Sequence, residues 1–328
     1  MISIIYLGYF FLGVSSSFLI LKNGIKFFEE FFLDNPNKRS LHFKPVPSAG
    51  GLSFIIPILI YDLIFAYFNN FKGDISLSLL CIPLIGISFL DDLIKVSPKY
   101  RYLFQLLTSF LILGFGNVNL FLLNPIFNIL IFIFLVIFIT GSINFTNFMD
   151  GSDGLVAGCM FVFFLIINYK LNSNISIIIL LGSLATFIYW NWNPAKIFMG
   201  DTGSTFLGVY FVANILKFDE INEIVGLLLI ASPFFGDALI TLFRRFLKRQ
   251  NIFKAHRQHL YQRLYLGKLS KQQVALLYIL QSLIIGIVYI KLNFIYEIGS
   301  ILASLFIMYL LEKKYAVSFD QEMNNKLI

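Results

Sequence analysis

Long apolar runs, interrupted by short polar clusters, set the pattern of this chain. Segments at roughly 2–21, 50–69, 75–90, 102–116, 120–140, 154–169, 175–190, 203–217, 224–243, 273–290 and 294–311 are apolar almost throughout. Each is long enough to cross, or nearly cross, a hydrocarbon core of about 30 Å. They predict an all-α, polytopic integral membrane protein with about eleven transmembrane helices. An outer-membrane barrel would instead alternate polar and apolar residues over short segments. Met1–Leu21 has no basic leader and no small-residue cleavage site, so it reads as a first transmembrane helix and not a removed signal peptide. No low-complexity tract, composition shift or obvious repeat divides the chain, and residues 1–328 read as a single membrane domain.

Composition sharpens this picture. The chain is 58% hydrophobic and 13% charged, whereas soluble domains run to about 45–50% and about 25%. Disorder is excluded, because its signature is low hydrophobicity. Cys81 and Cys159 both sit in apolar runs, which excludes a disulfide scaffold. The net charge of +7 matters for where it sits relative to the bilayer and not for nucleic acid, which is not an expected partner. With the N-terminus outside and spans alternating, 21 of the 25 Lys and Arg fall on the inner side, nine of them between Arg244 and Lys271. Only Lys72, Lys170, Lys217 and Lys291 stay outside. The positive-inside rule therefore supports both the span count and the orientation.

Acidic residues gather at the cytoplasmic ends of these spans. Asp91 and Asp92 close the third in FLDDLIK, Asp150 and Asp153 open the sixth in NFMDGSDGL, and Asp201 opens the eighth in FMGDTGS. Acids at a helix N-terminus are favourable, but a pair at a C-terminal end opposes the dipole and repels itself. A cation, Lys95 or a metal ion, is expected to compensate there. The spacing of Asp150 and Asp153 places both on one side of a helical turn. A carboxylate cluster on one membrane face suits Mg²⁺, which bridges one or two carboxylates to substrate phosphates. Gly151, Gly154, Gly200 and Gly203 permit close backbone approach to an anion. There is no Walker loop and no GxGxxG.

The three histidines, His42, His256 and His259, all fall in inner loops. His256 and His259 at i, i+3 allow a zinc site, but no Cys joins them. Set among Tyr261, Gln262 and several Arg, they better suit a surface for a phosphorylated ligand. The same holds for PNKRSLHFKPVPSAGG (36–51), whose Pro and Gly imply an ordered loop. Asp62 and Asp237 fall near or within spans and are functional candidates by default, Asp237 the better of the two.

Taken in order, PVPSAGG, FLDDLIK, NFMDGSDGL, NWNPAKIFMGDTGSTFLG and AHRQHLYQR resemble the polyprenyl-phosphate N-acetylhexosamine-1-phosphate transferases, the MraY/WecA superfamily. The phospho-MurNAc-pentapeptide branch carries three consecutive His in its last cytoplasmic loop. This chain has His256-Arg-Gln-His259, closer to the branch that initiates O-antigen and related polysaccharides. The resemblance implies transfer of N-acetylhexosamine-1-phosphate from a UDP-sugar to undecaprenyl phosphate, releasing UMP at the cytoplasmic face of a bacterial inner membrane. It makes Asp201 the leading Mg²⁺ ligand, with Mn²⁺ tolerated in its place. Asp91 would be the base for the lipid phosphate, and Asp92 would support it or the metal. Asn147, Asp150, Asp153, Asn191 and Phe198 would serve the nucleotide. His256, Arg257 and His259 would hold the diphosphate, with Lys44 and Lys95 as helpers. Expected partners are the two substrates and the lipid bilayer, and a homodimer is compatible. A secondary transporter would instead place its ionisable groups near the bilayer midplane.

Overall fold

The described part of each of these apolar segments lies on a helix or a helix pair in the computed structural model, which describes residues 2–36, 41, 44–70, 75–118, 125–252, 254, 256–292 and 294–320. His42 and most of the loop before Lys44 lie outside the described residues. The helices are α1 (Ile2–Phe31), α2 (Leu52–Phe68), α3 (Leu77–Leu80), α4 (Ile82–Ile94), α5 (Pro98–Phe115), α6 (Pro125–Met149) and α7 (Leu155–Lys170). They continue as α8 (Ile175–Asn191), α9 (Gly200–Ile215), α10 (Ile221–Ile230), α11 (Ser232–Leu247), α12 (Leu260–Gly267), α13 (Lys271–Lys291) and α14 (Phe294–Tyr315). Two short strands, β1 (Leu33–Asp34) and β2 (Val46–Pro47), pair antiparallel. They are a small departure from the all-α expectation and tie the end of α1 to the approach to α2.

Ile4–Phe31, Ile126–Met149, Lys271–Lys291 and Ile295–Tyr315 are each long and apolar enough to cross a membrane, and the bent pair α10–α11 would make a fifth span. α1 has 30 residues, about 45 Å at 1.5 Å per residue, so it outruns the hydrocarbon core. Two segments that look continuous in sequence are broken. Pro83 and Pro233 each fall in the first turn of the second helix of their pair. A proline there has no N–H to give and its ring clashes with the carbonyl four residues back, so the helix restarts. α10 and α11 consequently meet at a 77° bend.

Small residues let the helices approach closely. A Cβ on Gly182 would stand 2.0 Å from the Phe10 carbonyl oxygen, and one on Gly13 would stand 2.2 Å from that of Ile179. Ser17 donates to the Ser183 carbonyl at 3.2 Å across the same α1–α8 seam. Such small-residue packing substitutes for a hydrophobic drive between helices surrounded by lipid. At the centre lies α9, buried from Thr202 to Ile215 and packed by α2, α4, α6 and α7. Its N-terminus opens into a cleft at one end of the bundle. There α1, α4, α6 and α8 end, and α2, α7, α9 and α13 begin.

Candidate active site

The N-terminus of α9 is the site's electrostatic anchor. Asp92 accepts from the Asp201 backbone N–H at 2.8 Å, from the Thr202 N–H at 3.1 Å and from the Thr202 hydroxyl at 2.6 Å. A carboxylate from the end of α4 thus caps the start of α9, where unsatisfied N–H groups and the dipole favour an anion. Gly200 makes this possible. Its φ is +73°, and a Cβ there would stand 2.6 Å from Asp92 Oδ2.

Asp91 finds its cation elsewhere. Arg101, one turn into α5, donates to Asp91 at 2.7 Å and to Asp201 at 3.0 Å from the same nitrogen. The Val96 N–H also donates to Asp91 at 2.6 Å. Arg101 compensates Asp91, and for Asp92 the α9 terminus acts together with the expected Lys95 charge. No sequence signal singled out Arg101, because it lies ten residues beyond the pair on another helix.

Asp150 and Asp153 sit in a turn between α6 and α7, not on the helix expected from their spacing. Gly154, at φ +74°, reverses the chain and starts α7 only at Leu155. Asp153 is buried and ion-paired with Lys271 at 2.9 Å. Asn191 staples two backbones, accepting from the Gly154 N–H at 2.9 Å and donating to the Ile197 carbonyl at 2.8 Å. The PVPSAGG segment docks on this region too, since the Gly50 N–H donates to the Phe198 carbonyl and the Gly51 N–H to that of Met199.

These groups converge on a cleft of about 620 Å³ lined by Asp92, Lys95, Asn147, Asp150, Asp153, Asn191, Phe198 and Asp201. Lining residues that sequence reasoning did not assign include Asp34 from β1 and Lys271, while Ser48 and Gln262 come from the two loops read as a surface for a phosphorylated ligand. Ser152 contributes a buried hydroxyl to the wall that has no hydrogen-bond partner among the described residues, as suits a site for a polar ligand.

Asp91, Lys44, His256, Arg257 and His259 do not line it. Lys44 is exposed. His259 is 3% exposed, its Nδ1 3.7 Å from Asp237, and its ring packs near those of His256, Phe148 and Tyr261. Asp237, read as a functional candidate, is a structural clamp. It accepts from the Leu260 and Tyr261 N–H groups at 2.7 and 2.9 Å and from the Tyr278 hydroxyl at 2.7 Å. Asp62 is likewise satisfied, by Ser176 at 2.6 Å and by Ser78.

Comparison with known proteins identifies the chain's relatives. The chain is 30% identical over 297 residues, 85% of its length, to a Bacillus subtilis (strain 168) protein named probable undecaprenyl-phosphate N-acetylglucosaminyl 1-phosphate transferase, covering 81% of that protein. A Thermotoga maritima undecaprenyl-phosphate alpha-N-acetylglucosaminyl 1-phosphate transferase is 28% identical over 80% of this chain and 82% of its own. A Thermoanaerobacter phospho-N-acetylmuramoyl-pentapeptide-transferase is 31% identical over 72% of this chain and 80% of its own. Residues 74–219 match the Glycosyl transferase family 4 profile.

The chain belongs to glycosyl transferase family 4. The profile match holds Asp91, Asp92, Asp150, Asp153 and Asp201 and stops before α10, so Asp34 and the histidine loop lie outside it. Long apolar helices and this family membership together make the chain a multi-pass membrane protein. Among the described residues, no three Asp, Glu, His or Cys converge into a preformed metal cage.

In this family 4 cleft the crowding of negative charge has a measurable consequence. Burial pushes the Asp150 carboxyl well above the usual carboxylate range, and the charges of Asp201, Asp92, Asp153 and Asp34 push it further. Between the usual range and that raised value, Asp150 is protonated in the folded chain and ionised in the unfolded one. Its contribution to stability is thus full at low pH and is lost as pH rises through the raised value. Asp150→Asn is neutral at every pH. Without ligands it should raise Tm by a few degrees near pH 8, with the gain shrinking toward pH 4. Thermal melts across this range check it, and a gain that does not depend on pH contradicts it.

Proposed function

We propose that this family 4 protein transfers an N-acetylhexosamine-1-phosphate from a UDP-sugar to undecaprenyl phosphate, giving the diphosphate-linked lipid and UMP. The observation that carries the reading is the cleft itself, where Asp92, Asp150, Asp153 and Asp201 meet Lys95 and Lys271 beside the N-terminus of α9, with Arg101 paired to Asp201. The Bacillus and Thermotoga relatives, named as N-acetylglucosaminyl 1-phosphate transferases, support this substrate class.

Two anions must meet in this reaction, and their repulsion has to be offset where charge develops. Asp201, whose side chain is 33% exposed, would hold the Mg²⁺ ion, which on binding offsets phosphate charge and polarises the transferred phosphoryl group. Asp92, expected to share the ion, already spends both oxygens on the start of α9 and so fixes Asp201 in place. Asp91, expected as the base, is 5% exposed and lies off the cleft wall. It holds Arg101 against Asp201 instead. A phosphate monoester, with a second pKa of about 6, is largely dianionic at neutral pH and needs no base to become a nucleophile. Its oxygen forms a bond to the donor's β-phosphorus as the bond from that phosphorus to the UMP oxygen breaks. Asp150, Asn147 and Phe198 face the nucleotide, and Lys95 and Lys271 answer its diphosphate.

The basic asymmetry supports a cleft at the cytoplasmic face, in an eleven-span arrangement with the N-terminus outside. Single cysteines at Ser97 and Lys268 should resist an impermeant thiol reagent added to intact cells. Lys268 is chosen because neighbouring Ser270 caps α13, while native Cys81 and Cys159 are buried and give little background. Prompt labelling of either probe contradicts the orientation.

Donor choice is tested on purified protein with undecaprenyl phosphate, Mg²⁺ and a panel of UDP-sugars. UMP release with UDP-N-acetylhexosamines, including 6-deoxy ones, and none with UDP-MurNAc-pentapeptide is the expected result. Exclusive use of the pentapeptide donor would instead assign the activity named for the Thermoanaerobacter relative.

A further inference from the structure

The end of the chain's last helix folds back on the loop that carries the histidines. Glu312, in the final turn of α14, pairs with Arg263 of α12 at 2.5 Å and with Arg244 of α11. Arg263 is 3% exposed and uses its whole guanidinium. It donates to the Gln258 carbonyl at 3.1 Å and to the Val317 carbonyl at 3.0 Å, while its own carbonyl accepts from the Val317 N–H at 3.0 Å. Phe319, 9% exposed, has three cations within reach of its ring. Arg263 lies at 5.5 Å, Arg244 at 5.8 Å and Lys248 at 5.2 Å from the centroid. Such contacts are favourable when partly desolvated. Lys248 also pairs with Asp320.

The opposite side of α12 meets the cleft. The Tyr261 hydroxyl donates to the Phe148 carbonyl at 3.0 Å, and a Cβ on Gly151 would stand 2.3 Å from that hydroxyl. Gln262, next along, lines the cleft beside the turn that carries Asp150. One short helix is thus held from outside by residues 312–320 and abuts the candidate nucleotide turn on its inner side. A buried arginine with a single carboxylate partner makes that outer hold specific, since removing the partner strands a buried charge.

We propose that residues 312–320 form a latch in which Glu312 and Phe319 clamp Arg263 and thereby set α12, making these three positioning residues for the UDP-sugar. The latch rests on the transferase reading for what it positions, though not for its contacts. A displacement of about 1 Å remote from the chemistry costs up to about 100-fold in rate, so a loosened α12 has a readable effect.

The test uses the full chain in lipid nanodiscs, with Glu312→Gln, Phe319→Leu and Phe319→Tyr. Leu keeps apolar bulk without a ring face, and Tyr keeps both. The first two should raise KM for UDP-GlcNAc about tenfold and leave KM for undecaprenyl phosphate within about twofold. Phe319→Tyr should restore the wild-type value. Amide hydrogen exchange over residues 256–267 should quicken in the first two variants and not in the third, whether or not the enzyme turns over. Unchanged exchange overturns the latch outright. Unchanged KM for the donor, or equal loss in all three variants with both KM values moving together, overturns its positioning role. Absence of UMP from the wild type with every UDP-sugar overturns the transferase reading, while the exchange result still decides the latch.

Discussion

Asp201→Asn should lower UMP release by about 10²- to 10³-fold while the protein stays folded, the range seen when one preorganised electrostatic group is removed. The substitution keeps the side chain's size and removes the charge that would hold Mg²⁺ against the phosphates. Folding survives because the α9 terminus is capped by Asp92 through the backbone of Asp201 and Thr202, not through the Asp201 side chain. Among the described residues the ion pair lost is the one to Arg101, and both partners are about a third exposed, where such pairs contribute little stability. Steady-state UMP release over a Mg²⁺ titration, with a parallel thermal melt, separates the two effects. Near-normal turnover with an unchanged Mg²⁺ requirement would remove Asp201 from the metal. Asp91→Asn should also be severe, but through Arg101, which would lose its buried anchor and its orientation toward Asp201.

Asp237→Ala should have the largest effect on stability. It would leave the Leu260 and Tyr261 N–H groups and the Tyr278 hydroxyl without an acceptor, all three buried. Each unsatisfied buried donor costs about 1–3 kcal/mol, so a loss on the order of 3–5 kcal/mol is expected after partial relaxation. Tm in detergent should fall by roughly 6 °C or more. Asp237→Asn should be nearly as damaging, because its amide turns donors toward donors. A melt within one degree of wild type would show that α12 is not held by this carboxylate.

The contrast between Asp237 and Asp201 shows what the chain's pattern disclosed. Apolar runs located the helices because a lipid-facing helix must be apolar along its length, and glycines and acids beside helix ends marked the cleft. Breaks at Cys81 and Ala231 were hidden, since the runs stay apolar across them and only Pro83 and Pro233 betray the restart. α12 was hidden for the opposite reason. Its eight residues are too short and too polar to stand out, and contacts with Asp237, Glu312 and Tyr278 fix it. Partners distant in sequence account for the rest. Asp91 and Asp92 were flagged because a like-charged pair at a helix C-terminus is unfavourable, yet Arg101 and the α9 terminus that relieve them are products of packing. His256 and His259, prominent in sequence as ligand candidates, lie off the cleft wall while Gln262 of the same loop lines it, and Asp34 and Lys271 on it carry no local signal.

Transfer of a phosphosugar breaks the bond from the donor's β-phosphorus to the UMP oxygen, whereas transfer of a sugar breaks the bond from its anomeric carbon to oxygen, and that difference is directly measurable. Purified protein supplied with undecaprenyl phosphate, Mg²⁺ and UDP-GlcNAc labelled at the β-phosphorus should move the label into the lipid fraction, with one UMP released per labelled lipid. Release of UDP with the label retained in the nucleotide would contradict the account.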